Sequence, residues 1–167
     1  MKYELIENVL EDFQKLQNLW CNSSNIAWYY NSSTIEGVDN YFMFTHHLYR
    51  NGQVSSDMYS SLQKLLFEAS IAANKSTLLR VKANMYTNQG KHIYHTKHTD
   101  YEDIDEFTTA VFNFTSCNGG TVLYIDDEEI VVPSIENSLL VFDGNITHQG
   151  FTQTDKDNRV LLNIDFM

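Results

Sequence analysis

The chain has 167 residues, 43% of them hydrophobic and 13% aromatic, enough apolar material to bury one core and to exclude wholesale disorder. Its 22 acidic and 11 basic side chains leave a formal net charge of −11. A phosphate backbone or an anionic lipid surface therefore meets general repulsion, and nucleic acid is a disfavoured partner.

Leu5, Val9, Phe13, Leu16, Leu19 and Trp20 recur at helical spacing and predict an amphipathic helix over 6–20. Residues 22–37 read as a loop carrying Trp28-Tyr29-Tyr30, either a substrate platform or core packing, of which core packing is the commoner outcome for aromatics. The aromatic-rich stretch 41–50 reads as a strand, and its adjacent His46 and His47, facing opposite ways, read as structural. Ser55 or Ser56 is placed to cap a helix with Asp57 in its first turn. Met58, Leu62, Leu65, Leu66 and Ala69 form its apolar stripe, which ends near Asn74.

Beyond residue 78 the period changes to two. Leu79, Val81, Ala83 and Met85 fall on one face of 78–86, and Arg80, Lys82, Asn84 and Tyr86 on the other. Short runs follow at 91–98, 107–115, 120–126, 129–133, 138–143 and 159–166. Turn signals punctuate them at 88–90, 118–120, 126–127, 143–145 and 155–158. The acidic run 126–129 reads as a solvated hairpin tip. Helices first and many short strands after describe an α+β chain, mainly β. A jelly roll with N-terminal helices packed on one sheet is expected. The expectation is one domain over 1–167, with 1–77 as helical and loop support and 78–167 as the core.

The N-terminus lacks a signal peptide's apolar run, and nothing approaches the roughly 18 apolar residues of a membrane span. Cys21 and Cys117 are too few for a disulfide scaffold. Reduced thiols, no membrane partner and a cytoplasmic location are expected, a host's cytoplasm if the source is viral.

The chemistry gathers around His98-Thr99-Asp100. In an extended segment residues i and i+2 share a face, so one imidazole and one carboxylate can meet at a point. His148 offers a second imidazole. Two His and one carboxylate with the other positions open suit a non-haem Fe(II) centre. Arg159 follows 11 residues after His148 on an apolar strand, where its guanidinium can grip a carboxylate bidentately. Asn113, within an apolar run, is a buried amide in need of a partner. By strand parity His92 and Tyr94 share the face of His98 while His95 points away; Tyr94 is the candidate to line a substrate entrance, and His92 is a weak one for an extra ligand.

The order His-x-Asp, distal His, then Arg resembles the 2-oxoglutarate/Fe(II)-dependent dioxygenases. The flanking text resembles small phage and bacterial prolyl 4-hydroxylase-like oxygenases: "LLRVKANMY", "HTKHTDYED", "TAVFNFTSCNGGTVL" and "LLVFDGNITHQGFTQTDKDNRVLLNIDF", with "WYYN" and "FTHHLY" as weaker matches. The likeness spans 78–167 and, loosely, 26–50. It implies a double-stranded β-helix, with His98, Asp100 and His148 as iron ligands and Arg159 as the partner of the 2-oxoglutarate C5 carboxylate. Tyr86 stands where relatives hydrogen-bond that carboxylate, with Asn84 and Lys82 on the same face as further cavity residues. Asn113 stands where relatives usually carry a Tyr that touches the cosubstrate. The implied cofactors are Fe(II), 2-oxoglutarate and O2, with ascorbate a candidate reductant. The implied reaction is C–H hydroxylation with release of succinate and CO2; Asp100 is kept, unlike in related halogenases. Peptidyl proline or another protein side chain is the first substrate class implied. A small metabolite or a nucleobase is the alternative, and a non-enzymatic jelly-roll module is the rival from another class.

Overall fold

The computed structural model describes residues 2–35 and 38–167. Its central strand is β5 (Leu78–Thr87), whose alternation does what the sequence expects. Val81 and Ala83 are fully buried under the helices. Lys82, Asn84 and Tyr86 face the other way, into a cavity.

Around β5 lies a large antiparallel sheet. Its remaining strands are β1 (Tyr3–Glu7), β2 (Tyr29–Asn31), β3 (Met43–Arg50), β4 (Gln53–Val54), β6 (Thr108–Asn113), β9 (Ser138–Asp143) and β11 (Asn158–Phe166). They run in the order β1-β9-β6-β11-β5-β3-β2, with β4 beside β3. A smaller sheet, β10-β7-β8, is built from β7 (Cys117–Ile125), β8 (Glu128–Ser134) and β10 (His148–Phe151). The outer face of the large sheet is covered by α1 (Phe13–Gln17), which continues as a π turn over Asn18–Asn22, and by α2 (Gln63–Ala73), entered through a 3-10 turn over Asp57–Leu62. Leu62, Leu65, Ala69, Phe112 and Leu162 are sealed between them. Each such large side chain contributes roughly 1.5–3 kcal/mol of transfer free energy. A second core of Val111, Leu123, Leu140, Phe142 and Leu161 fills part of the space between the sheets.

Local chemistry fixes the ends of several elements. The Ser56 side chain accepts from Met58 N–H at the start of the second helical segment. Asn74 closes α2 in the left-handed region at φ 51°. Asp126 and Asp127, both with positive φ, form the two-residue hairpin between β7 and β8, the turn that matches strand twist. Lys2 and Lys97 pair with Asp126 and Glu129 at this acidic tip.

Four expectations are corrected. Residues 3–7 are an edge strand on β9, so the helix begins only at Phe13. Pairing with β9 overrides the helical spacing, and Asn8 (φ 56°) breaks the chain between them. Residues 118–120 lie inside β7, not in a turn; a Cβ on Gly120 would stand 2.4 Å from the Val132 carbonyl, so the glycine permits backbone approach. Tyr29 and Tyr30 are 63% exposed on β2, and only Trp28 packs inward, edge-on to Trp20. Residues 91–98 form an irregular segment held on β10 by bridges at Tyr94–Phe151 and His98–His148. Between these bridges the segment spans one residue more than β10 does. That extra residue acts as a bulge, and it breaks the face alternation assumed for 91–98.

Candidate metal centre

His98 and His148 face each other across that bridge, each backbone N–H donating to the other's carbonyl at 2.9 Å. Their rings lie 4.5 Å apart. Each imidazole donates its Nδ1–H two residues back along the chain, His98 to Thr96 O at 3.0 Å and His148 to Ile146 O at 3.1 Å. Both Nε2 lone pairs are thereby left bare. Asp100 Oδ2 stands 3.6 Å from His148 Nε2, and one ligand atom from each of the three side chains lies within 4.8 Å of the others. Burial, more than the attraction of Asp100, holds the His148 imidazolium form down, so the ring favours neutrality. One nitrogen from each imidazole and one carboxylate oxygen thus converge, and a cation is the complement they lack.

The other oxygen of Asp100 is occupied. Arg80, on the inner face of β5, pairs through Nη2 with Oδ1, and its Nε lies 2.7 Å from Asp165 Oδ2 on β11. Thr109 Oγ1 spans both acids, 3.4 Å from Asp100 Oδ2 and 3.2 Å from Asp165 Oδ1. Burial alone would raise the Asp100 carboxyl, yet Arg80 and His148 outweigh it and hold it well below the usual carboxylate range. Burial and the Asp100 charge push Asp165 up to about 6. This Arg–Asp–Thr bracket was not read from the sequence. The only local sign of it was Arg80 on the polar face of β5.

A cavity of about 50 Å³ runs inward from the triad between the sheets. Arg159 closes its far end, 1% exposed. Nη1 donates to the Gly120 and Phe151 carbonyls at 2.7 and 3.3 Å, and Nη2 makes long contacts to Asn113 Oδ1 and Thr121 Oγ1 at 3.4 and 3.5 Å. No acidic side chain pairs with it among the described residues, and Nε has no partner. A buried cation without an anion is costly. Asn84 Oδ1 and His95 Nε2, also on this cavity, are two further buried atoms without partners. Tyr86 lies beneath Arg159 and beside His95, with ring centroids 4.8 Å apart in the latter pair.

The sequence-derived residues divide as follows. His98, Asp100, His148, Arg159, Tyr86, Asn84 and Lys82 all border the cavity. Asn113 does not: its amide bonds Ser138 and Ser134 and touches Arg159 from behind. Tyr94 is 52% exposed and stacked on Phe151, outside the cavity, and His92 donates through Nδ1 to Thr152 O on the same outer side. His95, expected to point away, is 4% exposed and faces inward. Burial, with Arg159 nearby, pushes its pKa down to about 4, so it is neutral. His46 is structural, bonded to Ala27 O and Ser56 Oγ.

No family model and no curated protein sequence matches the chain. Solved structures do. An oxidoreductase of the 2OG-Fe(II) oxygenase family from Burkholderia pseudomallei superposes at TM-score 0.74 with 10% identity, over 98% of this chain and 84% of that one. A Trichoplax adhaerens prolyl hydroxylase, solved with a hypoxia inducible factor peptide fragment, gives 0.72 and 13%, over 99% and 83%. The epimerase SnoN, solved with Fe3+, alpha ketoglutarate and nogalamycin RO, gives 0.67 and 13%, over 98% and 78%. At such identities the shared property is the fold, and the chain has the double-stranded β-helix fold of the 2-oxoglutarate/Fe(II) oxygenases.

Proposed function

We propose that this protein is an Fe(II)- and 2-oxoglutarate-dependent dioxygenase that hydroxylates a C–H bond, with 2-oxoglutarate and O2 converted to succinate and CO2. One arrangement carries the reading. A His-Asp-His cluster stands at one end of a cavity whose other end is a buried arginine without an acidic partner among the described residues. A metal chelate with a distant carboxylate satisfies both ends at once.

His98, Asp100 and His148 would hold the iron, and Arg159 the far carboxylate of 2-oxoglutarate. The bound pair would activate O2, the oxidant, for C–H chemistry that no side chain provides. The chain's own groups do the rest. Thr96 and Ile146 carbonyls fix the tautomer of both ligands. Tyr86, Asn84 and His95 offer neutral polar contacts along the cavity, while Met43, Val111 and Leu161 exclude water from its walls. Because the cavity is narrow, entry of a five-carbon dicarboxylate requires side chains at its border to swing aside. Residues 78–167 supply every charged or ionisable group of this site, and 1–77 act as support that also contributes Thr34 and Met43 to the cavity wall. Ascorbate as reductant belongs to the same reading. The neighbours' substrates range from a peptide to a small molecule, so the fold leaves both classes open.

The test is anaerobic addition of Fe(II) and 2-oxoglutarate. A weak visible charge-transfer band is expected, with loss of the band in His98→Ala. Absence of the band in the wild type, together with no metal-dependent heat in calorimetry, overturns the reading.

A further inference from the structure

We propose that Lys82 recognises a carboxylate on a small substrate, held in the groove beside the metal ligands; this rests on the oxygenase reading above. The inner face of β5 presents Arg80, Lys82, Asn84 and Tyr86 in sequence, from the mouth of the site to its depth. Tyr86 is registered with Arg159 at the deep end, and Lys82 with Asn163 and His47 near the mouth. Lys82 borders both the inner cavity and an outer groove of about 460 Å³ that also touches His98 and Asp100. It is therefore the cation that an incoming molecule meets next to the reacting centre.

Two other cations line this groove, and their situations differ. Arg80 is held by Asp100 and Asp165. Lys97 lies 3.7 Å from Glu129 and over the Tyr124 ring. Arg50, opposite Arg80 on the neighbouring strand β3, is exposed to water. Lys82 is partly buried, yet among the described residues it has no ion pair within 4.0 Å and no hydrogen bond. Its cross-strand neighbours are a neutral amide and a histidine that burial, then Lys82 itself, keeps neutral. Asp100 and Asp165 are committed to Arg80, and Glu102, which also lines the groove, makes no ion pair with Lys82 within 4.0 Å. A partly desolvated ammonium without a protein partner is completed by an anion from outside.

That anion belongs to the substrate. The far carboxylate of 2-oxoglutarate has Arg159, at the opposite end of the cavity. An internal prolyl residue of a peptide is neutral and leaves Lys82 unpaired. The groove has the volume of a small-molecule site, so the class is a small carboxylic acid, free amino acids included, whose reacting C–H lies a few bonds from its carboxylate.

The experiment uses Co(II)- and 2-oxoglutarate-loaded protein, whose visible spectrum reports changes at the metal. It is titrated with free L-amino acids, with the same compounds as primary amides, and with an end-capped neutral prolyl peptide. Saturable binding of at least one acid is expected, with its amide weaker by ~10-fold or more, the loss of one charged hydrogen bond. In Lys82→Met the preference for acid over amide disappears, Lys82→Arg retains part of it, and both keep their 2-oxoglutarate affinity. The proposal is overturned if no acid of the panel binds, if amide or peptide binds as tightly as acid, or if Lys82→Met keeps the preference. It is overturned too if Lys82→Met loses 2-oxoglutarate affinity as severely as Arg159→Ala, which would make Lys82 a cosubstrate ligand. Failure of the wild type to take up Co(II) or 2-oxoglutarate, read before any panel compound is added, overturns the oxygenase reading itself.

Discussion

Asp100 illustrates how one side chain can be committed at both oxygens. Arg80 takes Oδ1, leaving Oδ2 toward His148, so the carboxylate presents a single oxygen to a metal. Arg80→Gln is expected to lower metal affinity by about 10–100-fold, the usual effect of losing a group that orients a ligand. It also leaves Asp165 buried without its cation, which costs about 3–5 kcal/mol. The pair Arg80→Met/Asp165→Leu removes that stranded acid, so it recovers Tm without recovering affinity. Mn(II) calorimetry and thermal melts check this, and joint recovery of both would reduce Arg80 to a stability role. At the other end of the cavity, Arg159→Ala is expected to weaken 2-oxoglutarate binding at least ~10-fold while sparing the metal, which calorimetry with each ligand separates. His95 gives a pH dependence. Its folded pKa, about 4, lies below the 6.5 of a free imidazole. Between those values the unfolded chain binds the extra proton, so its contribution to stability is present above pH 6.5 and is lost as pH falls toward 4. The full shift corresponds to about 3 kcal/mol. Urea unfolding at pH 7 and pH 5 is expected to show a smaller acid loss in His95→Asn than in the wild type.

At the scale of elements, the site depends on the smaller sheet keeping its distance from the larger. His148 opens β10, which pairs with β7, and β7 passes close to β8 and to the Phe151 ring at Gly120. A methyl group there meets the Val132 carbonyl, so Gly120→Ala is expected to cost about 1–3 kcal/mol. It should also loosen metal binding, because β10 moves with β7. Melts and Mn(II) titration test this, and an unchanged metal affinity would show that the sheet absorbs the strain elsewhere. Elements with a period of their own were legible in advance. The run 138–143 coincides with β9, 159–166 comes within one residue of β11, and β5 buries the face that its alternation names. Those whose identity rests on a partner were not. Residues 3–7 are a strand because β9 has a free edge, and β10 is a strand because β7 lies beside it.

For the molecule as a whole, binding and stability are linked. A metal and cosubstrate that bind only the folded chain raise its stability by about 2.7 kcal/mol at a hundredfold excess over Kd. Fe(II) or Mn(II) with 2-oxoglutarate is therefore expected to raise Tm, and a chelator to reverse the rise. A Tm indifferent to both ligands would contradict the proposed site. The net charge of −11 makes the arrangement of cations more informative than their number. Arg80, Lys82 and Lys97 line one mouth and Arg159 lies behind it; with Arg80 and Lys97 held by acids, Lys82 is the cation there that a small anion meets.

The sequence alone determined what is periodic or carried by spacing: mainly β architecture, helices on one sheet, and the trio His98, Asp100 and His148 with Arg159 beyond it. Only the tertiary structure decided which polar groups are already satisfied. It tied Arg80 to Asp100 and Asp165, turned His95 inward through one extra residue in 94–98, moved Tyr94 to the surface, and left Lys82 without a partner among the described residues. The physical reason is the range of each effect. Face alternation is set by neighbouring backbone dihedrals, whereas a single-residue register shift or an ion pair between distant strands depends on how the whole sheet closes.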